Sequence, residues 1–104
     1  MIRVGSYFLG RIGVEMNKVE EALGIMQEEC AEVIVEVSKI RRFGIDSVHY
    51  KTGQTHARML EAEVGDVLAL VDILMEQGVL NSEELTLAKE RKKEKLKQWS
   101  KLYE

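Results

Sequence analysis

Residues 27–44 read QEECAEVIVEVSKIRRFG, and residues 60–70 echo them as LEAEVGDVLAL. In each stretch apolar residues recur at helical spacing while carboxylates stand three apart, Glu29 and Glu32 in the first, Glu63 and Asp66 in the second. Residues three apart are neighbours on a helix surface, so each stretch offers a pair of oxygen ligands from one face. Two such pairs brought together would make a cage for a hard divalent cation.

Working outward, the first helix is predicted from Asn17, with Asn17 as N-cap and Glu20 as its capping-box partner. Its apolar positions are Val19, Leu23, Met26, Cys30, Val33, Val37 and Ile40, alternating four and three apart. That alternation marks an amphipathic helix. Gly44 ends it, with Lys39, Arg41 and Arg42 in the last turns, where positive charge suits the helix dipole. Residues 45–54 are polar and rich in turn formers, hence a loop. Thr55 or Thr52 caps a second helix reaching about Gln77, with a main stripe of Leu60, Val64, Val67, Leu68, Val71, Leu74 and Met75. Leu70 and Ile73 form a second apolar strip on that helix, and a helix apolar on more than one face is usually covered on more than one. Another subunit is the expected cover. Ser82 caps a third, charge-rich helix to about Leu102, whose thin stripe of Leu85, Ala88, Leu96, Trp99 and Leu102 is expected to pack on the body with Trp99 as an anchor.

The chain of 104 residues has no proline and few aromatics, and it suits one all-α domain. Residues 1–16, with three glycines and no period, read as an irregular arm ahead of a domain spanning 17–104. The expected architecture is a bundle of about three helices, completed into a four-helix core by homo-oligomerisation. The net charge of −3 is divided unevenly: residues 1–88 carry −7 and residues 89–104 carry +4. An acidic body argues against nucleic acid as its partner and suits one that holds cations and, through them, phosphates. Cys30 is the only cysteine, so no intrachain disulfide forms; its place on the apolar stripe predicts a buried thiol. No apolar run approaches membrane-spanning length, and the expected location is the cytoplasm.

Around the first helix at 100° per residue, Glu29, Glu32 and Glu36 line one flank of the apolar stripe while Glu28 points away. Lys39 falls on the same flank. Glu63 and Asp66 flank the second stripe, with Gly65 between them; a helical glycine costs about 1 kcal/mol relative to alanine, which predicts a close approach there. No basic residue lies between Lys18 and Lys39 to offset these acids. Like charges three and four apart repel, so the cluster calls for a cation rather than only water. His49 and His56 have no metal-ligand spacing and read as surface residues; Tyr50 is free to stack on a base.

Glu28-Glu29-x-x-Glu32 followed by Glu63-x-x-Asp66 resembles the EExxE…ExxD pattern of the MazG-like all-α nucleoside triphosphate pyrophosphohydrolases. The likeness runs from Asn17 to Gln77, with a gap between the motif halves slightly long for that family. It implies a magnesium ion, with manganese as an alternative, held by Glu29, Glu32, Glu63 and Asp66. It implies hydrolysis of (deoxy)nucleoside triphosphates between the α and β phosphates, with Glu29 or Glu32 doubling as general base. Lys39, and after it Arg42, are the candidates for substrate phosphate, with Arg58, Lys89, Lys92 and Lys93 further off. A homodimer or homotetramer is expected. The rival readings are a phosphoribosyl-ATP pyrophosphohydrolase and a non-catalytic helical interaction module.

Overall fold

The computed structural model describes residues 14–104, with side chains from residue 17; the arm expected over residues 1–16 lies mostly outside the described residues. Among the described residues three helices follow one another: α1 (Val14–Phe43), α2 (His56–Glu76) and α3 (Ser82–Trp99). α1 begins before Asn17, so that residue sits inside the helix and the expected cap is not used. At the other end the expectation holds. Gly44 takes φ +103°, the left-handed conformation glycine adopts without a Cβ penalty, and its N–H donates to Ile40 O at 2.7 Å.

The loop over 45–54 is tied down at both ends. Ser47 Oγ donates to Gly44 O at 2.7 Å, and His56 N donates back to Ser47 O at 2.9 Å. Val48 and Thr55 form an isolated antiparallel bridge, and His49 N donates to Gln54 O at 2.8 Å. Gly53, at φ +74°, makes the tight return possible. Thr55 caps α2, its side chain accepting from Arg58 N. Asn81 rather than Ser82 caps α3, accepting from the N–H groups of Glu83 and Glu84.

α1 and α2 pack as an antiparallel hairpin, and their seam is not the stripe that periodicity singles out. The buried and half-buried residues of α1 are Val19, Ala22, Met26, Glu29, Val33, Glu36 and Ile40, with Glu20 and Lys39 at the margin. Four of these belong to the expected stripe. The other three, Ala22, Glu29 and Glu36, take the places expected of Leu23, Cys30 and Val37, which are exposed. The seam is therefore turned about 45° toward the acids. On α2 the same rotation buries His56, Leu70 and Leu74 and leaves Val64, Leu68 and Ile73 exposed. Leu70, assigned from sequence to an intersubunit strip, instead belongs to the core of the hairpin with Ala22 and Leu74, against which Met26 and Leu80 pack.

Three rungs cross this seam at heptad spacing on both helices: Ala22 with Leu70, Glu29 with Glu63, Glu36 with His56. Seven residues are nearly two whole turns, which is why one lateral face presents all three rungs. α3 departs from expectation: none of its residues is buried, and it makes no more than a marginal contact with the other helices. Trp99, expected as an anchor, is 83% exposed. The physical reason lies in α3's charge, which leaves too thin an apolar stripe to offset the loss of hydration on docking. No described helix is long and apolar enough to cross a membrane.

Leu74 is the most deeply buried large side chain, at 1% exposure. Leu74→Ala is expected to lower stability by about 3 kcal/mol, seen as a lower urea midpoint with an unchanged slope.

Candidate metal centre

The middle rung brings Glu29 and Glu63 face to face, and Asp66, one turn along α2 from Glu63, joins them. One carboxylate oxygen from each of the three lies within 4.8 Å of the other two. Glu29 and Glu63 are half-buried and Asp66 is exposed, so the group opens to water on one side. Three of the four acids expected to converge are thus together. Glu32 is not; it is exposed and lies outside this group. Glu28 is exposed, as its outward angle requires.

Among the described residues no lysine or arginine forms an ion pair with Glu29, Glu63 or Asp66. The consequence shows in Glu29, whose carboxyl is pushed up from its ordinary 4.5 to about 7. Partial burial is the largest cause, followed by the hydrogen bond its protonated form makes to Glu63 and by the negative charge of Asp66. The crowding of the other two acids thus disfavours the charged form of Glu29, and a cation among them would favour it. The three acids offer only hard oxygens, drawn from two helices, and could hold a metal ion of that preference.

Two turns along the seam, Glu36 lies deeper than the flank of the stripe on which sequence angles placed it. It is 4% exposed, and its Oε1 lies 3.1 Å from His56 Nδ1. His56, expected on the surface, is 6% exposed. The Glu36 Oε2 atom lies 3.7 Å from Lys39 Nζ, so Lys39 does share the acidic flank, as part of an ion pair. Sequence angles missed the burial of Glu36 and His56, although a signal existed. Glu36 stands one heptad beyond Glu29, and His56 one heptad before Glu63, as antiparallel rungs must. Arg42 is elsewhere: its guanidinium sits 4.9 Å over the Phe43 ring, beside a groove lined by Ile34, Val37 and Arg41. Arg58 is taken up by Glu61 at 2.6 Å. The glycine between the α2 acids has no close neighbour. A Cβ built on Gly65 would meet nothing within 4 Å, so the expected close approach is not made among the described residues.

No protein-family profile, curated protein or solved structure matches the chain, so the chemistry of this group is argued from its own residues.

The pH dependence of stability tests the arrangement. A carboxyl raised in the folded state binds its proton more tightly there than in the unfolded chain. Its contribution therefore favours the fold most below pH 4.5 and is lost as pH rises through about 7. In EDTA, the unfolding midpoint of the wild type relative to Glu29→Gln is expected to fall across that window. Millimolar Mg²⁺ is expected to restore it at the upper end, through binding to the folded state alone.

Proposed function

We propose that the chain is a divalent-metal-dependent nucleoside triphosphate pyrophosphohydrolase, acting between the α and β phosphates to give a monophosphate and pyrophosphate. The observation that carries this reading is the convergence of Glu29, Glu63 and Asp66 across the α1–α2 seam with no basic partner among the described residues. These three would hold the ion, with Glu32 one turn along α1 from Glu29 as the fourth oxygen donor. A magnesium or manganese ion bound there supplies charge neutralisation and a lowered pKa for attacking water.

The chain's own residues account for the rest. Hydrolysis adds a water oxygen to one phosphorus, breaks the bridging P–O bond and leaves one proton to be taken up. Glu29, a carboxylate beside the proposed ion and its water, would take that proton as general base. Glu32, exposed and outside the group, is the other acceptor within reach of the same flank. Lys39 remains the first candidate cation, though paired with Glu36 ten residues along α1 from Glu29 it stands toward the far end of the substrate from the metal-held phosphates. Arg42 faces a different groove and takes second place.

The same reading includes self-association. Leu23, Ile34, Val37, Val64 and Leu68 are all more than a third exposed on the hairpin, an apolar surface of the kind that marks an interaction site. Two hairpins joined by these faces would build a four-helix core, in a homodimer or homotetramer.

Pyrophosphate release from a panel of nucleoside triphosphates and phosphoribosyl-ATP in Mg²⁺ tests the activity. Turnover of nucleoside triphosphates is expected, and EDTA should abolish it. Asp66→Asn is expected to lose more than the roughly 10–100-fold that removing a supporting partner of a metal ligand costs. A folded protein that binds Mg²⁺ but turns over nothing would instead be an interaction module. Sedimentation equilibrium is expected to give at least two chains per particle, and a mass of 11.9 kDa would rule out the shared core.

A further inference from the structure

A cavity of about 450 Å³ opens between the end of α1, the 45–54 loop and the start of α2, within the size range of small-molecule sites. Phe43, Val48 and Tyr50 contribute apolar surface, and Lys39, His49 and His56 contribute polar atoms. Tyr50 is 85% exposed, yet its ring lies stacked on His49, with centroids 5.3 Å apart and planes 14° from parallel. His49 in turn meets His56 edge-on at 6.0 Å. These flat groups form a wall on which a planar heterocycle can stack.

His56 is the one deeply buried polar side chain lining the cavity, with only 7% of its side chain exposed. Its Nδ1 is occupied by Glu36 at 3.1 Å, while no described residue bonds its Nε2. With Glu36 ionised, and so only an acceptor, Nδ1 carries the hydrogen. In the neutral imidazole Nε2 is then left as a bare acceptor. Lys39 completes the arrangement, facing the second oxygen of Glu36 at 3.7 Å.

The Glu36–His56 rung lies seven residues from the Glu29–Glu63 rung on both helices, about 10.5 Å along the seam. That separation suits a ligand with phosphates at one end and an aromatic ring at the other. Resting on the reading of the acid group as a triphosphate site, we infer that this cavity holds the nucleobase and that His56 Nε2 selects bases with an amino group at the pyrimidine 4- or purine 6-position, cytosine and adenine, over those with a carbonyl there, thymine, uracil and guanine. A carbonyl oxygen opposite an acceptor nitrogen leaves both without a donor, a mismatch that costs each the water it gave up.

The test has two arms on the full chain. In the first, kcat/KM for pyrophosphate release is measured with the four common deoxynucleoside triphosphates in Mg²⁺. The cytosine and adenine substrates are expected to lead by at least about tenfold. Tyr50→Ala, an exposed change that leaves the fold intact, should raise KM several-fold for all four. His56→Gln, whose amide both donates and accepts, should erase the ranking. In the second arm, the four deoxynucleoside monophosphates are titrated without divalent ion while His56 ring ¹⁵N signals are followed in the wild type. A shift at Nε2 with deoxycytidine or deoxyadenosine monophosphate, at lower concentrations than with the other two, supports the inference even if His56→Gln does not fold. Turnover without base ranking, turnover favouring carbonyl bases, or monophosphates that leave Nε2 unmoved would overturn the inference and leave the hydrolase reading standing. Binding with the expected ranking but no turnover of any triphosphate would overturn the hydrolase reading alone.

Discussion

Everything in this structure depends on carboxylates occupying the inside of a helical seam. An antiparallel pair of helices meets along positions that recur every three and four residues, and apolar side chains normally fill them. Here Glu29, Glu36 and Glu63 take such places, and the seam tolerates them by two different means. Glu36 is paired within the chain, hydrogen-bonded to His56 and facing Lys39. Glu29 and Glu63, with Asp66 beside them, have no such partner among the described residues, and Glu29 answers by holding a proton up to about pH 7. One rung is closed and the other is open. The closed rung is structural, and the open rung is the one on which the proposed cation site rests.

The rotation that puts acids inside also puts hydrocarbon outside. Leu23, Val37, Val64 and Leu68 would have filled an ordinary two-helix seam, and turning the helices toward the acids leaves them exposed. Burying such side chains stabilises by about 1.5–3 kcal/mol each, so a second partner surface is the natural outlet for them. The proposed self-association and the acid group are thus two results of one choice of helix orientation. α3 takes no part in that choice. Its lysines keep it hydrated, and no residue of it is buried against the hairpin.

Helix existence, the Gly44 stop, the 45–54 loop and the Thr55 cap were all legible in the sequence. They rest on local physics: apolar period, glycine's access to positive φ, and hydroxyl caps for free N–H groups. The convergence of Glu29, Glu63 and Asp66 was legible too, because three-residue spacing on two helices leaves few other ways to pair acids. Glu32 shares that spacing yet stays outside. At 300° from Glu29 around the helix, it sits beyond the seam's edge once the real seam is known.

Sequence alone determined that this is an all-helical chain with paired acids on two adjoining helices, since those properties depend on neighbours a few residues away. Only tertiary structure decided which of two apolar faces each helix turns inward. That choice is a competition between surfaces of similar hydrophobicity, settled by the geometry of the connecting loop and by what lies opposite, neither of which a periodic pattern records. It is why His56 moved from the surface and Glu36 from the edge of the core to the interior, why Cys30 moved the other way, and why Trp99 stays exposed.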